Sequence, residues 1–321
     1  MATLPTHVEI VEEGPREGFQ IEKGPISTAR KIELIDALSD TGVATMQIVS
    51  FVSPKLVPGM ADAEAVVAGI KPRTGVSYRG LWLNEQGFER AKASGRLDIR
   101  GSINLSGSDA FLKRNQNRTP AEQLAAQHHM ARRYKSLGIP IERGGIFAAF
   151  GCNFEGDVPI PRLVGLVGRL IEIAKEHGIA LGYVTLADTM AWATPLSIKR
   201  TLDAIWGKHP GVEISLHLHD TRGMGIANAF AGLEMGVKHF DSAVAGLGGC
   251  PFAGHAGAAG NVCTEDLVFL CDEMGIATGI DLDKLIACAR LAEDIVGHPL
   301  PGAVMRGGTL KRLREARAAR A

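Results

Sequence analysis

Nowhere in the 321 residues is there an uninterrupted apolar run near the ~18 residues a membrane span requires, and the amino-terminal MATLPTHVEI shows no basic stretch followed by an apolar one. The sequence therefore reads as cytoplasmic, with no membrane partner. An excess of either charge is also missing. Lys plus Arg and Asp plus Glu both number 35, which removes the bulk electrostatic reason to expect nucleic acid or an anionic surface as partner. Any anion binding must be local. Cysteine is scarce and unpatterned: Cys152, Cys250, Cys263, Cys271 and Cys288 are odd in number and never spaced CxxC. That argues against a disulfide framework and against a structural zinc site, leaving free thiols. No Walker-type phosphate loop, linker, internal repeat or low-complexity block occurs.

What is present is a rhythm. At 45% hydrophobic, the chain can bury the core of one long α/β domain. Short β-branched runs recur at Val8–Val11, Thr45–Ser50, Ser77–Leu83, Leu97–Leu105, Ile141–Ala149, Ile179–Ala187, Glu213–His219 and His239–Val244. Between them lie helical patterns, among them Thr28–Ser39, Ala121–Leu137, Leu163–His177, Leu196–Trp206 and Ile226–Met235, with Gly42, Gly138, Gly178 and Gly236 at their ends. Eight such units over about 245 residues predict a (β/α)8 TIM barrel as a single catalytic domain, residues 1–297; an open doubly wound sheet is the alternative. Two additional C-terminal helices are expected near Glu265–Glu273 and Leu282–Ile295. The Pro-, Gly- and Arg-rich tail, 298–321, reads as partly disordered.

In such barrels chemistry lies at the carboxyl ends of the strands. The seventh run ends Ser215-Leu216-His217-Leu218-His219-Asp220, and alternation sends His217 and His219 to one side, where two imidazoles suit a divalent metal or else pack within the sheet. Past the first run, Gly14-Pro15-Arg16-Glu17-Gly18 offers an anionic oxygen from Glu17. After the eighth comes the glycine-rich loop 246–260, GLGGCPFAGHAGAAG, whose composition implies backbone close to a ligand, a mobile lid, or a plain long loop. Cys250 within it is an acid or nucleophile if a cation lies near. Asn261 offers a neutral carbonyl oxygen, and Thr264 a cap for the next helix.

Five segments, VEEGPREGFQ (11–20), SFVSPKLVPGMAD (50–62), HLHDTRG (217–223), DSAVAGLGGCP (241–251) and GNVCTEDL (260–267), resemble, in order, those of the hydroxymethylglutaryl-CoA lyases of the metal-dependent lyase and synthase barrel superfamily. The resemblance implies retro-Claisen cleavage of 3-hydroxy-3-methylglutaryl-CoA to acetyl-CoA and acetoacetate, the chemistry of leucine catabolism and ketone-body formation. It makes Glu17, His217, His219 and Asn261 ligands of Mg²⁺ or Mn²⁺ and puts Arg16 at the enolate oxygen. Cys250 becomes the proton donor to the enolate carbon and Asp188 the candidate base, while Gln20, Gln47 and Glu265 support these groups from behind. Asp188 also reads as a turn residue and Glu265 as a helix-dipole acid. Coenzyme A contacts are sought at Lys23, Lys55, Asn104, Arg114 and Asn115, with Ser106 and Ser108 near the acyl chain.

Two positions depart from the family's pattern. Glu17 stands where aspartate is usual, one methylene longer, and Gln47 stands where strand two usually carries glutamate, which removes a charge beside Arg16. A related 3-hydroxyacyl-CoA is therefore an alternative substrate. Three other readings remain: a condensing synthase of the same superfamily, a non-haem iron oxygenase using two histidines and a carboxylate, and a degenerate barrel kept for binding. A homodimer is expected from the helices beyond the barrel.

Overall fold

A computed structural model describes residues 4–249 and 260–318. Eight strands form one parallel sheet: β1 Glu9–Glu12, β2 Thr45–Ser50, β3 Ser77–Leu81, β4 Gly101–Ser106, β5 Ile141–Phe147, β6 Tyr183–Ala187, β7 Ile214–His217 and β8 His239–Ser242. Their order is β3-β2-β1-β8-β7-β6-β5-β4, so β1 lies between β2 and β8 and the sheet curls into a TIM barrel. The open alternative is excluded.

At the seam, where β3 meets β4, pairing is made chiefly by side chains. The Asp98 N–H donates to the Tyr78 carbonyl at 2.8 Å, and the Ser77 hydroxyl donates to the Asp98 carboxylate at 2.7 Å. Arg79 and Arg100 interleave with Asp98 and Glu142, the Arg79–Glu142 pair at 3.7 Å. This arrangement accounts for β4 beginning four residues later than expected. Leu97–Arg100, apolar at its start, is spent on the seam. Likewise Ile179–Gly182 leads into β6 after the left-handed turn at Gly178, whose φ of 63° favours glycine. The ends of β3, β5, β7 and β8 fall two residues short of expectation, because there the chain turns outward to build the mouth.

The helices lie outside the barrel. Ser27 caps Thr28–Ser39, and Thr119 with Glu122 forms a reciprocal capping box for Pro120–Ser136. Helices Thr264–Glu273 and Leu282–Val296 come after β8. Thr264 does not cap the first of these; its hydroxyl instead donates to the Glu12 carboxylate at 2.6 Å. The tail departs further from expectation, forming helices Val304–Gly307 and Leu310–Ala318. Its anchor is burial of Leu300 and Met305, reinforced by the Asp266 carboxylate, which accepts the N–H groups of Ala303 and Val304. No described helix is long and apolar enough to cross a membrane.

Candidate functional site

The mouth of the barrel is built by the segments leaving each strand. After β1 the chain makes one tight helical turn, Gly14–Gly18 of π type, which tips Arg16 and Glu17 over the axis. His217 ends β7, whereas His219 lies beyond it and is held by an antiparallel bridge to Asn261, with the Val262 N–H donating to the Leu218 carbonyl at 2.9 Å. The bridge, rather than strand alternation alone, aligns the two imidazoles. Their Nε2 atoms stand 3.1 Å apart, and Glu17 Oε2 lies 3.7 Å from His217 Nε2 and 3.8 Å from His219 Nε2.

Asn261 completes the group. Its amide nitrogen donates to Glu17 Oε2 and to the Leu247 carbonyl, while its buried Oδ1 has no hydrogen-bond partner. A buried carbonyl oxygen left unpaired beside two imidazole nitrogens and a carboxylate is what a divalent cation would satisfy. The residues thus fit a metal. Behind them, Asp241 takes the far nitrogen of His217, Nδ1, at 3.3 Å, which leaves Nε2 facing the cluster. A second group of this kind, His128, Glu176 and His177, sits on the outer helices with its carboxylate exposed and is remote from the mouth.

Gly248 and Gly260 explain the glycine density. Gly248 holds φ at +96°, and a Cβ there would lie 2.6 Å from the Asn261 amide nitrogen and 3.0 Å from Glu17; one on Gly260 would strike the Gly248 carbonyl oxygen at 1.8 Å. Only glycine lets the backbone press so closely on the ligand-like residues. Cys250 lies outside the described residues. The described cysteines are buried free thiols, with burial pushing Cys271 and Cys288 up to about 12, which leaves them unreactive.

The remaining expected residues fall in different places. Gln20, Gln47, Asn104 and Asn115 line the cavity with Arg16, Glu17 and the histidines. Lys23, Lys55 and Arg114 are exposed and do not line it, Arg114 being stacked 4.2 Å over the Phe154 ring. Ser106 and Ser108 are spent locally, Ser106 donating to the Ser108 carbonyl and Ser108 capping Asp109–Gln116. Glu265 is buried beneath the mouth, where it accepts the Ala245 N–H at 2.9 Å in a turn with φ of 58°. Asp188 accepts the N–H groups of Trp192 and Ala193, so the turn role is filled, yet it stands near enough to His217 to feel its charge.

Sequence reasoning misses three contributors: Glu13, Arg143 and Asp241. Glu13 is 2% exposed, and contacts Arg16, Gln47, Arg143 and His217. The signal is there as two adjacent acids, Glu12-Glu13, at the end of a strand: alternation must bury one of them, and the turn buries both.

Burial and charge pull the titrations apart. Burial opposes it, but Glu17, Asp241 and Glu13 together raise His217 to about 9. Burial lowers His219 to about 4. Glu17, despite burial, is held at about 2 by Arg16, the two histidines and Asn261. Burial also lifts Glu12 and Asp188 to about 7 and Glu265 to about 8. Between pH 6.5 and 9 the folded, metal-free chain therefore retains protons, on these acids and on His217, that the unfolded chain has released. Stability must fall as pH rises through that window; His219 opposes this only below pH 6.5. Melting in EDTA should drop by about 5 °C or more from pH 6.5 to 9. A flat or rising melting temperature would contradict these environments.

Residues 7–292 match the family model described as HMGL-like. The chain is 39% identical over 283 residues to the 3-hydroxy-3-methylglutaryl-CoA lyase, cytoplasmic, of Mus musculus, covering 88% of this chain and 79% of the relative. It is 40% identical over 287 residues to the mitochondrial hydroxymethylglutaryl-CoA lyase of Macaca fascicularis, covering 89% and 85%. A solved HMG-CoA lyase from Acinetobacter baumannii, in complex with coenzyme A and 3-methylmalate, superposes with a TM-score of 0.84 at 36% identity, covering 96% of this chain and 97% of that one.

Proposed function

The chain belongs to the HMGL-like family, and from that premise we propose that it cleaves 3-hydroxy-3-methylglutaryl-CoA to acetyl-CoA and acetoacetate. It is a carbon–carbon lyase, and its substrate is an acyl-CoA. The observation that carries the reading is the convergence of Glu17, His217, His219 and the unpaired Asn261 oxygen beside Arg16.

In this reading those four residues hold Mg²⁺ or Mn²⁺, oxygen and imidazole donors being suited to such ions. When bound, the ion supplies Lewis-acid polarisation of substrate oxygens. Asp188 takes the proton of the substrate's 3-hydroxyl; burial lifts it to about 7, near the pH at which it must work, and its two backbone bonds fix its place. As that oxygen becomes a ketone, the C2–C3 bond breaks and its electron pair passes to the thioester enolate. Arg16 steadies the enolate oxygen with a guanidinium already fixed in position. Cys250 then gives its proton to the enolate carbon, completing the methyl group of acetyl-CoA. Asn104 and Asn115, on the cavity wall, are the groups we assign to the acyl-CoA. For coenzyme A itself we assign Lys23 and Lys55, which are exposed outside the cavity.

A single catalytic domain over 1–297, a cytoplasmic location like that of the mouse relative, and a role in leucine catabolism and ketone-body formation belong to the same proposal. So does a homodimer, supported not by the helices beyond the barrel but by exposed Leu196 and Phe230 on the neighbouring helices Pro195–Lys208 and Gly225–Glu234.

The test is acetyl-CoA release by the metal-stripped chain, with Mg²⁺ or Mn²⁺ restored, alongside Cys250→Ala. Release that requires the metal and is lost in the variant is the expected result. No release with metal bound would move the substrate to another 3-hydroxyacyl-CoA, and no metal binding would sink the catalytic reading.

A further inference from the structure

We propose that Glu13 is the positioning carboxylate of this site, holding Arg16 toward the reacting thioester from β1, and that it supplies the negative charge that Gln47 withholds on β2. The inference rests on the lyase reading for its activity assay, although its geometry does not.

Glu13 immediately follows β1 and is almost wholly buried. One of its oxygens, Oε2, binds the Arg16 guanidinium; the other, Oε1, accepts the Gln47 amide N–H at 3.3 Å. Arg143 approaches that same oxygen at 3.8 Å, and Asp241 binds Arg143 in turn. Arg16 is thus gripped from two sides, by Glu13 and by Glu17, whose Oε1 stands 3.1 Å from it. A guanidinium presents its donors in a rigid fork, so two carboxylates at its flanks fix the direction in which the remaining face points. That face is the one left for the substrate.

Gln47 shows that the charge has one seat and not two. It donates to Glu13 through Nε2, while its own buried Oε1 has no partner. A glutamate at 47 would set two buried carboxylates face to face, about where the amide now donates to an acid. Repulsion between them would push one acid aside and pull Arg16 from its place. A glutamine at both positions would leave Arg16 with Glu17 alone and the half-buried Arg143 short of one of its acids. Either strand can carry the carboxylate, but only one at a time.

This arrangement makes a distinctive expectation for the full-length, metal-loaded chain acting on 3-hydroxy-3-methylglutaryl-CoA. Glu13→Gln and Gln47→Glu should each lower kcat by about 10²-fold with KM little changed, as for a group that acts on the transition state through Arg16. The double variant, with the carboxylate moved across, should return to within about tenfold of the starting rate. A merely structural acid would show no such reciprocal rescue. An active Glu13→Gln chain, or a folded double variant no better than the singles, would overturn the proposal. Should Glu13→Gln fail to fold, Gln47→Glu and the double variant still decide it. If the metal-loaded, unmodified chain releases no acetyl-CoA, its substrate is another 3-hydroxyacyl-CoA, and the positioning claim is decided instead by crystal structures of the variants. There Arg16 must leave its place in Glu13→Gln and regain it in the double variant; an unmoved Arg16 would refute the claim.

Discussion

Replacing His217 by alanine is expected to remove metal-dependent cleavage, lowering kcat about 10³-fold or more, since a cation at a developing charge contributes several kcal/mol. The size of the effect reflects the other groups that the imidazole joins. Its Nε2 stands 3.1 Å from His219 and 3.7 Å from Glu17, and its Nδ1 engages Asp241 at 3.3 Å. Deleting the ring thus removes one donor and leaves the buried Asp241 with Arg143, itself half-buried, as its remaining partner. Metal affinity, followed by Mn²⁺ titration, should fall with the rate. Retained cleavage with full metal affinity would remove this histidine from the proposed ligand set. His217→Gln, which keeps a donor of similar reach, should lose less.

Arg16→Gln should cost about 10²- to 10³-fold in kcat, the range found when one preorganised donor to a developing oxyanion is removed. Metal binding should persist, which separates this variant from the histidine one. Lysine at 16 should not restore the rate, because a point charge cannot match a fork held at both flanks by Glu13 and Glu17. A rate loss appearing wholly in KM, with kcat intact, would show instead that Arg16 binds substrate and transition state alike.

Much of this is legible in the sequence wherever one element decides a residue's surroundings. Thr45–Ser50 has the same bounds in sequence and structure, since the glycine turn at 42 and a β-branched run leave no other reading. The two histidines are legible as a pair, but not the reason they face inward. Their alignment depends on a bridge between His219 and Asn261, residues far apart in the chain. Glu13 is hidden for a similar reason. Strand alternation describes a straight β1, whereas the helical turn at Gly14–Gly18 folds its end over and buries consecutive acids. Leu97–Arg100 misleads in the opposite direction, its apolar start resembling a strand although its work is to close the barrel. The tail looks disordered by composition alone; Leu300 and Met305 are too few apolar residues to register, yet enough to pin it beside Asp266.

The seam has a mechanical meaning. In a closed hoop of eight staves, the joint between β3 and β4 is a clasp of partly exposed ion pairs, while the other joints are backbone ladders. Counting around the hoop, the joint opposite the clasp is that between β7 and β8, the strands leading to His217 and to Asn261. A ring with one weak joint flexes there and pivots on the far side. Opening of this barrel is expected first along the wall bearing Asn104, and the joint across from it carries His217 and leads to Asn261, two of the proposed ligands. Added salt loosens the clasp and leaves the pivot alone. The cavity has a loosely joined wall and a firmly laddered one, and His217 stands on the latter.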